Sequence, residues 1–398
     1  MHKKDSPYYW WRETEVTVRQ RAVNVVSKPG AFSWSAPDPA SMLLGEHVEV
    51  APHSTILNLN AGAGLAGASV AMTATDASVI MTDRNLVNVE AARRTVVANH
   101  LKNVAVHFSN GLCDLPLRGP VDYVVIRLPK GCEPALQLLW DGFHALKIGG
   151  TCYLAGANRE GIKTAIERMR QLFGNGEVTG YKGGHRIARS EKRTLSPVDS
   201  PADDVGWLDH QQFRQFPVEI AGHSVIVCSR PGVFAWDRLD EGTRLLVEHM
   251  RIEPEDTVLD LGCGTGIVGV VSARIATRGK VVLVDTDAEA IRSATRSIQA
   301  NGLTHCTVLT SDAGSAVEES SFDVVVTNPP FHVGRRAEFD VAHQFIRDAW
   351  DVLRPGGRLY LVANSRLPYE KTIRDCFGSL RVECETHGYK VLSAGKNN

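Results

Sequence analysis

The run Asn328-Pro329-Pro330-Phe331, followed by His332, carries the clearest chemistry in this sequence. Consecutive prolines lack N–H groups and fix their own φ angles. The turn therefore offers mainly acceptors, the Asn328 amide oxygen and the Pro329 carbonyl. Such an array suits a group that brings two N–H donors, an exocyclic –NH₂. That amine is a weak nucleophile because its lone pair is conjugated into a ring or carbonyl. Accepting both hydrogens orients it and stabilises the charge that develops on nitrogen, so alignment and electrostatics replace a strong base. Phe331 offers a face on which a planar base can stack. A lone histidine beside a turn is more often a scaffold residue, and His332 is not assigned as a base.

A second motif points to the partner of that amine. Asp260-Leu261-Gly262-Cys263-Gly264-Thr265-Gly266 has the glycines of a turn whose backbone N–H groups approach a ligand closely. Gly264-x-Gly266-x-x-Gly269 also satisfies the dinucleotide fingerprint, so the glycines alone do not separate nicotinamide from S-adenosylmethionine. Three acids favour the latter. Asp260 stands where a carboxylate can meet the cationic amino group of a methionine moiety. Asp285 is placed to accept from a ribose diol, a feature both cofactor classes share. Asp312 is placed to accept from an adenine amino group. Beyond the chemical turn, Arg335 and Arg336 are positioned to touch phosphate near a flipped base.

These motifs need elements that end beside one another. In the second half, Thr257–Leu261, Lys280–Asp285, Thr307–Thr310, Asp323–Thr327 and Arg358–Ala363 read as strands. Ile267–Ala276, Ala288–Asn301 and Asp340–Leu353 read as helices between them. The alternation predicts an α/β fold with a parallel sheet covered on both faces and ligands beyond the carboxyl ends of the strands. Every motif above follows a strand.

The whole arrangement occurs twice. At a constant offset of 202 residues, Ser27-Lys28-Pro29-Gly30-Ala31-Phe32-Ser33-Trp34 lies over Ser229-Arg230-Pro231-Gly232-Val233-Phe234-Ala235-Trp236, and Asp83 falls on Asp285. Thr55–Leu59 falls on Thr257–Leu261 in the same register. The chain is a duplicated domain. Ser190 to Gln212, with its Ser-Pro and Asp-Asp pairs, reads as an exposed linker. The expected division is a first domain at 1–194, a linker at 195–210 and a catalytic domain at 211–398. The first copy keeps Gly62, Gly64, Gly67 and Asp83, which maintain turn and sheet geometry and leave residual ligand binding open. It carries Asn58 in place of Asp260 and Arg127-Leu128-Pro129 in place of Asn328-Pro329-Pro330. It cannot perform the proposed chemistry.

The second-half motifs, with the Leu361-Val362-Ala363-Asn364 strand and the Pro231-Gly232-Val233-Phe234 segment, resemble the class I S-adenosylmethionine-dependent methyltransferases that act on amino groups. In a duplicated chain they resemble, over most of its length, the ribosomal RNA guanine-N2 methyltransferases of the RsmC/RlmG type. The resemblance implies two tandem Rossmann-like domains, the first degenerate, S-adenosylmethionine as cofactor, and methylation of a guanine N2 in ribosomal RNA or a ribosomal subunit, the small one favoured. The acceptor array itself leaves adenine N6 and a protein glutamine amide open. A nicotinamide oxidoreductase gives the Asn-Pro-Pro-Phe turn no role, and a non-catalytic RNA-binding factor would require a damaged second copy.

Bulk properties set the remaining bounds. With 398 residues, 43% apolar and 22% charged, the chain suits a two-domain globular protein. A net charge of −1 excludes a global attraction to nucleic acid, so RNA binding must use a local patch. The richest basic stretch holds Arg159, Lys163, Arg168, Arg170, Lys182, His185, Arg186, Arg189, Lys192 and Arg193. Of these, Lys182, Arg186 and Arg189 are taken as candidate RNA contacts. The eight cysteines form no Cys-x-x-Cys pair, which predicts reduced thiols and no zinc site. No signal peptide and no membrane-length apolar run is found, so a cytoplasmic monomer is expected.

Overall fold

The computed structural model describes residues 6–199, 205–330, 336–386 and 388–397, with 336–339 described by backbone alone. It separates into two compact units. The first is Trp11–Gln212; the second is Phe213–Asn398 together with Met1–Trp10.

The first unit opens with an antiparallel hairpin, β1 (Arg12–Val18) and β2 (Arg21–Ser27). Then come α1 (Pro39–His47), β3 (Thr55–Leu59), α2 (Leu65–Thr73), β4 (Ser78–Asp83), α3 (Leu86–Ala98), β5 (Val104–Phe108), β6 (Val121–Arg127), α4 (Cys132–Ala145), β7 (Leu146–Ala157), α5 (Ile162–Phe173), β8 (Glu177–Lys182) and β9 (His185–Glu191). The second unit repeats the series. Its hairpin is β10 (Arg214–Ile220) and β11 (His223–Ser229), followed by α6 (Glu241–His249), β12 (Thr257–Leu261), α7 (Ile267–Ile275), β13 (Lys280–Asp285) and α8 (Ala288–Ala300). It ends with β14 (Cys306–Thr310), β15 (Phe322–Thr327), α9 (Arg336–Val352), β16 (Leu353–Asn364), α10 (Tyr369–Phe377), β17 (Arg381–Thr386) and β18 (Tyr389–Gly395).

Each unit builds one seven-stranded sheet, ordered β5-β4-β3-β6-β7-β9-β8 in the first and β14-β13-β12-β15-β16-β18-β17 in the second. The sheet is mixed rather than wholly parallel, because β18 pairs antiparallel with both β16 and β17. A short connection after β17 forces that reversal, since a parallel return needs a crossover of a dozen or more residues. The order reverses between β12 and β15, which places the ends of those strands at the switch point.

Strand β12 is buried on both faces. Val258 belongs to one apolar layer with α7, and Leu259 and Leu261 to the layer with α9. The central strand is thus continuously apolar except for Asp260, as a sheet covered on both sides requires. No described helix is long and apolar enough to cross a membrane.

Two boundaries differ from the sequence reading. Residues 6–10 belong to the second unit, not to the first domain. The end of the expected linker is structured: Gly206–Leu208 form a 3₁₀ turn, Leu208 is buried, and His210 lies 3.0 Å from Asp141. Polar, aperiodic sequence concealed both, because their contacts are made through single side chains rather than an apolar stripe.

Candidate active site

The glycine turn leaves β12 and enters α7 through three positive-φ glycines, Gly262, Gly264 and Gly266. At Gly266 a side chain has no room, since a Cβ would lie 2.9 Å from the Ala294 backbone in α8. At Gly264 a Cβ would meet nothing within 4 Å. That side of the turn opens onto free space, as a ligand cradle requires.

Asp285, at the end of β13, shapes the turn. One carboxylate oxygen accepts from the Gly264 N–H at 2.9 Å and the other from the Asp287 N–H at 3.0 Å. Burial and then the neighbouring Asp287 push its carboxyl up to about 6. Hydrogen-bond donors arriving here would stabilise the anion.

Asp260 is placed differently from its expected role. Its carboxyl is buried and accepts from the Gly269 N–H at 2.8 Å, pinning the first turn of α7 from beneath. Burial, with a further contribution from Asp285, raises it to about 7. Asp260 therefore supports the turn that the sequence reading assigns to the ligand. Asp312, just after β14, is half-buried and accepts from the Tyr8 hydroxyl at 2.6 Å. Nothing in the sequence pattern singled out Tyr8.

Asn328 closes β15 beside this turn. Thr327 Oγ1 donates to the Leu261 carbonyl at 2.7 Å, tying the ends of β15 and β12 together. The Asn328 Nδ2 group donates to Thr243 Oγ1 at 3.0 Å and to Asp240 Oδ2 at 3.4 Å, both at the start of α6. These bonds fix the amide's orientation. Its Oδ1 is buried and has no donor among the described residues. A buried acceptor without a partner is costly in a native fold, and here it stands where an incoming amine is expected. Asp240 and Thr243 are functional neighbours that sequence reasoning missed, although Asp240 is legible as a helix N-cap. Pro329 is buried and Pro330 exposed. Phe331, His332 and Arg335 lie outside the described residues, as does the Arg336 side chain.

The first unit shows the same scaffold with its chemistry closed. Asp83 accepts from the Gly62 N–H at 2.8 Å, as Asp285 does from Gly264. Asn58 and Asp260 hold equivalent ladder positions, paired with Val125 and Val326, which makes Arg127 the counterpart of Asn328. The Arg127 guanidinium is buried and ion-paired with Asp38 at 3.2 Å and Glu160 at 2.9 Å. It also sits 4.3 Å over the Phe32 ring. Burial works against the Asp38 anion, but Arg127 outweighs it and holds that carboxyl below its ordinary value. Where the second unit presents an acceptor, the first presents its own cation.

The basic stretch is partly neutralised. Arg189 pairs with Glu177 at 2.5 Å, Arg193 with Glu191 at 3.2 Å and Arg170 with Glu167 at 3.3 Å. Lys192 is buried and donates to the Leu146 carbonyl, which removes it from any RNA surface. Lys182 is exposed with a long 3.3 Å contact to Glu46, and Arg186 lies 5.0 Å over the exposed Tyr181 ring.

Comparison with known proteins agrees with this geometry. The family model described as "Methyltransferase small domain" matches residues 22–189 and again 224–393. The chain belongs to this methyltransferase family. A ribosomal RNA small subunit methyltransferase C from Shewanella pealeana is 32% identical over 294 residues, covering 73% of this chain and 81% of that protein. One from Hahella chejuensis is 34% identical over 283 residues, covering 70% and 79%. The solved T. thermophilus 16S rRNA N2 G1207 methyltransferase (RsmC), in complex with AdoMet and guanosine, matches over the full length of both chains. Its TM-score is 0.81 at 30% identity. Within the family, the chain is thus an RsmC-type ribosomal RNA methyltransferase.

Proposed function

We propose that the second unit transfers a methyl group from S-adenosylmethionine to the N2 amine of a guanine in 16S ribosomal RNA. The carrying observation is the Asn328 amide, clamped through Nδ2 and presenting an unpartnered buried Oδ1 beside the glycine turn. The residues present fit the cofactor. Gly264 faces open space, Asp285 gains by accepting from a ribose diol, and Asp312 accepts from the adenine amine. When bound, S-adenosylmethionine supplies an electrophilic methyl on a sulfonium.

The protein's part is orientation and electrostatics. Asn328 Oδ1 accepts one hydrogen of the guanine amine and the Pro329 carbonyl accepts the other. Both acceptors stabilise the positive charge that grows on nitrogen as its lone pair leaves conjugation. Because Nδ2 is already bonded to Thr243 and Asp240, Oδ1 needs no reorganisation at the moment of reaction. The methylated nitrogen is strongly acidic and releases a proton to solvent without a dedicated base. Phe331 stacks on the flipped base, and Arg335 and Arg336 contact flanking phosphate.

Lys182, Arg186 and the exposed Tyr181 form the auxiliary RNA contact on the first unit, while Arg189 contributes less because Glu177 holds it. The substrate is the RNA or the small ribosomal subunit, met in the cytoplasm by a monomeric enzyme. The test uses 16S RNA and small subunits from a strain lacking the gene, incubated with methyl-labelled cofactor and digested to nucleosides. Label is expected in N2-methylguanosine. Label in N6-methyladenosine would reassign the base and spare the mechanism, and label only in protein would defeat the RNA reading.

A further inference from the structure

Residues 6–10 form a strap on the second unit. Ser6 Oγ donates to Gln344 Oε1 at 2.5 Å, the Tyr9 hydroxyl to Asp348 Oδ2 at 2.6 Å, and the Tyr8 hydroxyl to Asp312 Oδ1 at 2.6 Å. The Tyr8 and Tyr9 rings meet edge to face at 5.0 Å, and Tyr8 is buried.

One of these contacts has an internal counterpart. Asp348 also accepts from the Gly314 N–H at 2.8 Å and from Gln344 Nε2 at 2.7 Å. In the first unit Asp141 accepts from the Leu112 N–H at 3.1 Å and from Gln137 Nε2 at 3.0 Å. Leu112 and Gly314 are equivalent at the offset of the duplication. The third partner of Asp141 is His210, from the segment that precedes β10, as Tyr9 comes from the segment that precedes β1. The Tyr9–Asp348 clasp is therefore a device of the fold, present whether or not the unit does chemistry.

Tyr8 has no such counterpart. The position equivalent to Asp312 is Asn110, which carries no carboxylate for a phenol to hold. The Tyr8 contact occurs only in the unit with the open glycine turn and the orphaned Asn328 oxygen. Burial and then the Asp312 charge hold the Tyr8 phenol protonated, so it remains a donor.

We propose that Tyr8 is a positioning residue for the cofactor's adenine: its hydroxyl fixes the Asp312 carboxylate in the orientation that accepts from the exocyclic adenine amine. This rests on the reading of Asp312 as the adenine acceptor. A carboxylate accepts several hydrogen bonds at once, so Tyr8 and the adenine amine share it without competing.

The test compares S-adenosylhomocysteine with S-inosylhomocysteine, in which a carbonyl oxygen replaces the amine, by calorimetry on the full chain. Wild type is expected to prefer the adenosyl ligand. Tyr8→Phe, which keeps the ring, should weaken the adenosyl ligand about fivefold to tenfold, as for one lost hydrogen bond, and leave the inosyl ligand within about twofold. In turnover, KM for the cofactor rises and kcat is retained. Tyr9→Phe should lower thermal stability and change both affinities equally. Equal losses for both ligands in Tyr8→Phe, no change, or tighter binding would overturn the proposal. Asp312→Asn separates the two readings. If it abolishes the adenosyl preference while Tyr8→Phe does not, Tyr8 is only structural and Asp312 stands. If Asp312→Asn leaves the preference intact, the adenine reading of Asp312 fails, and the role of Tyr8 fails with it.

Discussion

Replacing Asp260 by asparagine should make the ligand-free second unit more stable, and increasingly so as pH rises. The Asp260 carboxyl is buried and raised from 3.8 to about 7. A raised carboxyl contributes stability that is complete below the unfolded value, near 4, and is lost as pH climbs through the folded value. At about 1.4 kcal/mol per tenfold change in proton concentration, the span from 3.8 to about 7 corresponds to about 4 kcal/mol, an upper bound on the destabilisation above pH 8. Asparagine is neutral throughout, although Asn58 Oδ1, the equivalent atom of the first unit, is buried without a donor among the described residues, which lowers the net gain. The new amide group has an acceptor waiting, because Asn58 Nδ2 already donates to the Val125 carbonyl at 3.0 Å, and Val326 is the equivalent residue. The assay is scanning calorimetry from pH 5 to 8.5, following the transition that S-adenosylhomocysteine shifts. The variant should gain on wild type as pH rises from 5 to about 8 and hold that gap above it, while binding S-adenosylmethionine more weakly, since the carboxyl beneath the turn is gone. A gap that does not change with pH, or a wild type more stable at pH 8, would refute the reasoning.

Asp285→Ala should weaken S-adenosylmethionine binding by about 1.5–3 kcal/mol, as for hydrogen bonds to a charged acceptor. Because Asp285 is raised to about 6, wild-type affinity should also fall as pH drops below that value, and calorimetric titrations at several pH values check both. Asn328→Ala should leave cofactor affinity within about twofold and cut the single-turnover rate by about a hundredfold, the scale of losing one preorganised group at a developing charge. A near-normal rate would remove Asn328 from the chemical step. Titration should give one cofactor per chain, because Asn58 and Arg127 replace the residues that the second unit holds at Asp260 and Asn328. Arg127→Ala should destabilise the first unit by about 3–5 kcal/mol in urea denaturation, by leaving Asp38 and Glu160 uncompensated.

The catalytic half of the fold is legible because β12 through β15 are short β-branched runs bounded by glycine and proline, and the duplication supplies each motif twice. Strands Thr257–Leu261 and Lys280–Asp285 fall where the pattern places them. The hairpins are less visible. In β10–β11 the turn is Ala221-Gly222 with both φ positive, and only the glycine signals it. The long β16 begins at Leu353 rather than Arg358, since its Pro355-Gly356-Gly357 stretch conceals a register shift against β15. At the site, strand position alone shows that Asp260 lies in a strand buried on both faces, so its carboxyl turns inward. The strap is illegible for another reason. Ser6, Tyr8 and Tyr9, in a segment with no period, bond to Gln344, Asp312 and Asp348 far along the chain, and only the repeated pairs Gln137–Asp141 and Gln344–Asp348 mark the landing place.

The two units act as each other's control, and this decides which features are chemistry. The Asp83–Gly62 and Asp285–Gly264 bonds match in partner and distance, so that contact belongs to the Rossmann-like turn and would exist without a cofactor. The same logic makes the Asp141 and Asp348 clasps structural. What remains after subtraction is confined to the second unit: the carboxyl under α7, the orphaned Asn328 oxygen and the Tyr8–Asp312 bond. The first two place a raised carboxyl and a buried acceptor without a donor where the first unit has Asn58 and Arg127. There, Asn58 is neutral and the Asp38 carboxylate that caps α1 is satisfied by Arg127. The first unit has lost the buried charge and the acceptor array, although Asn58 Oδ1 is itself buried without a donor among the described residues. On the proposed function, the second unit keeps them because a cationic cofactor lies over the turn that Asp260 supports and a guanine amine supplies the donor missing at Asn328 Oδ1.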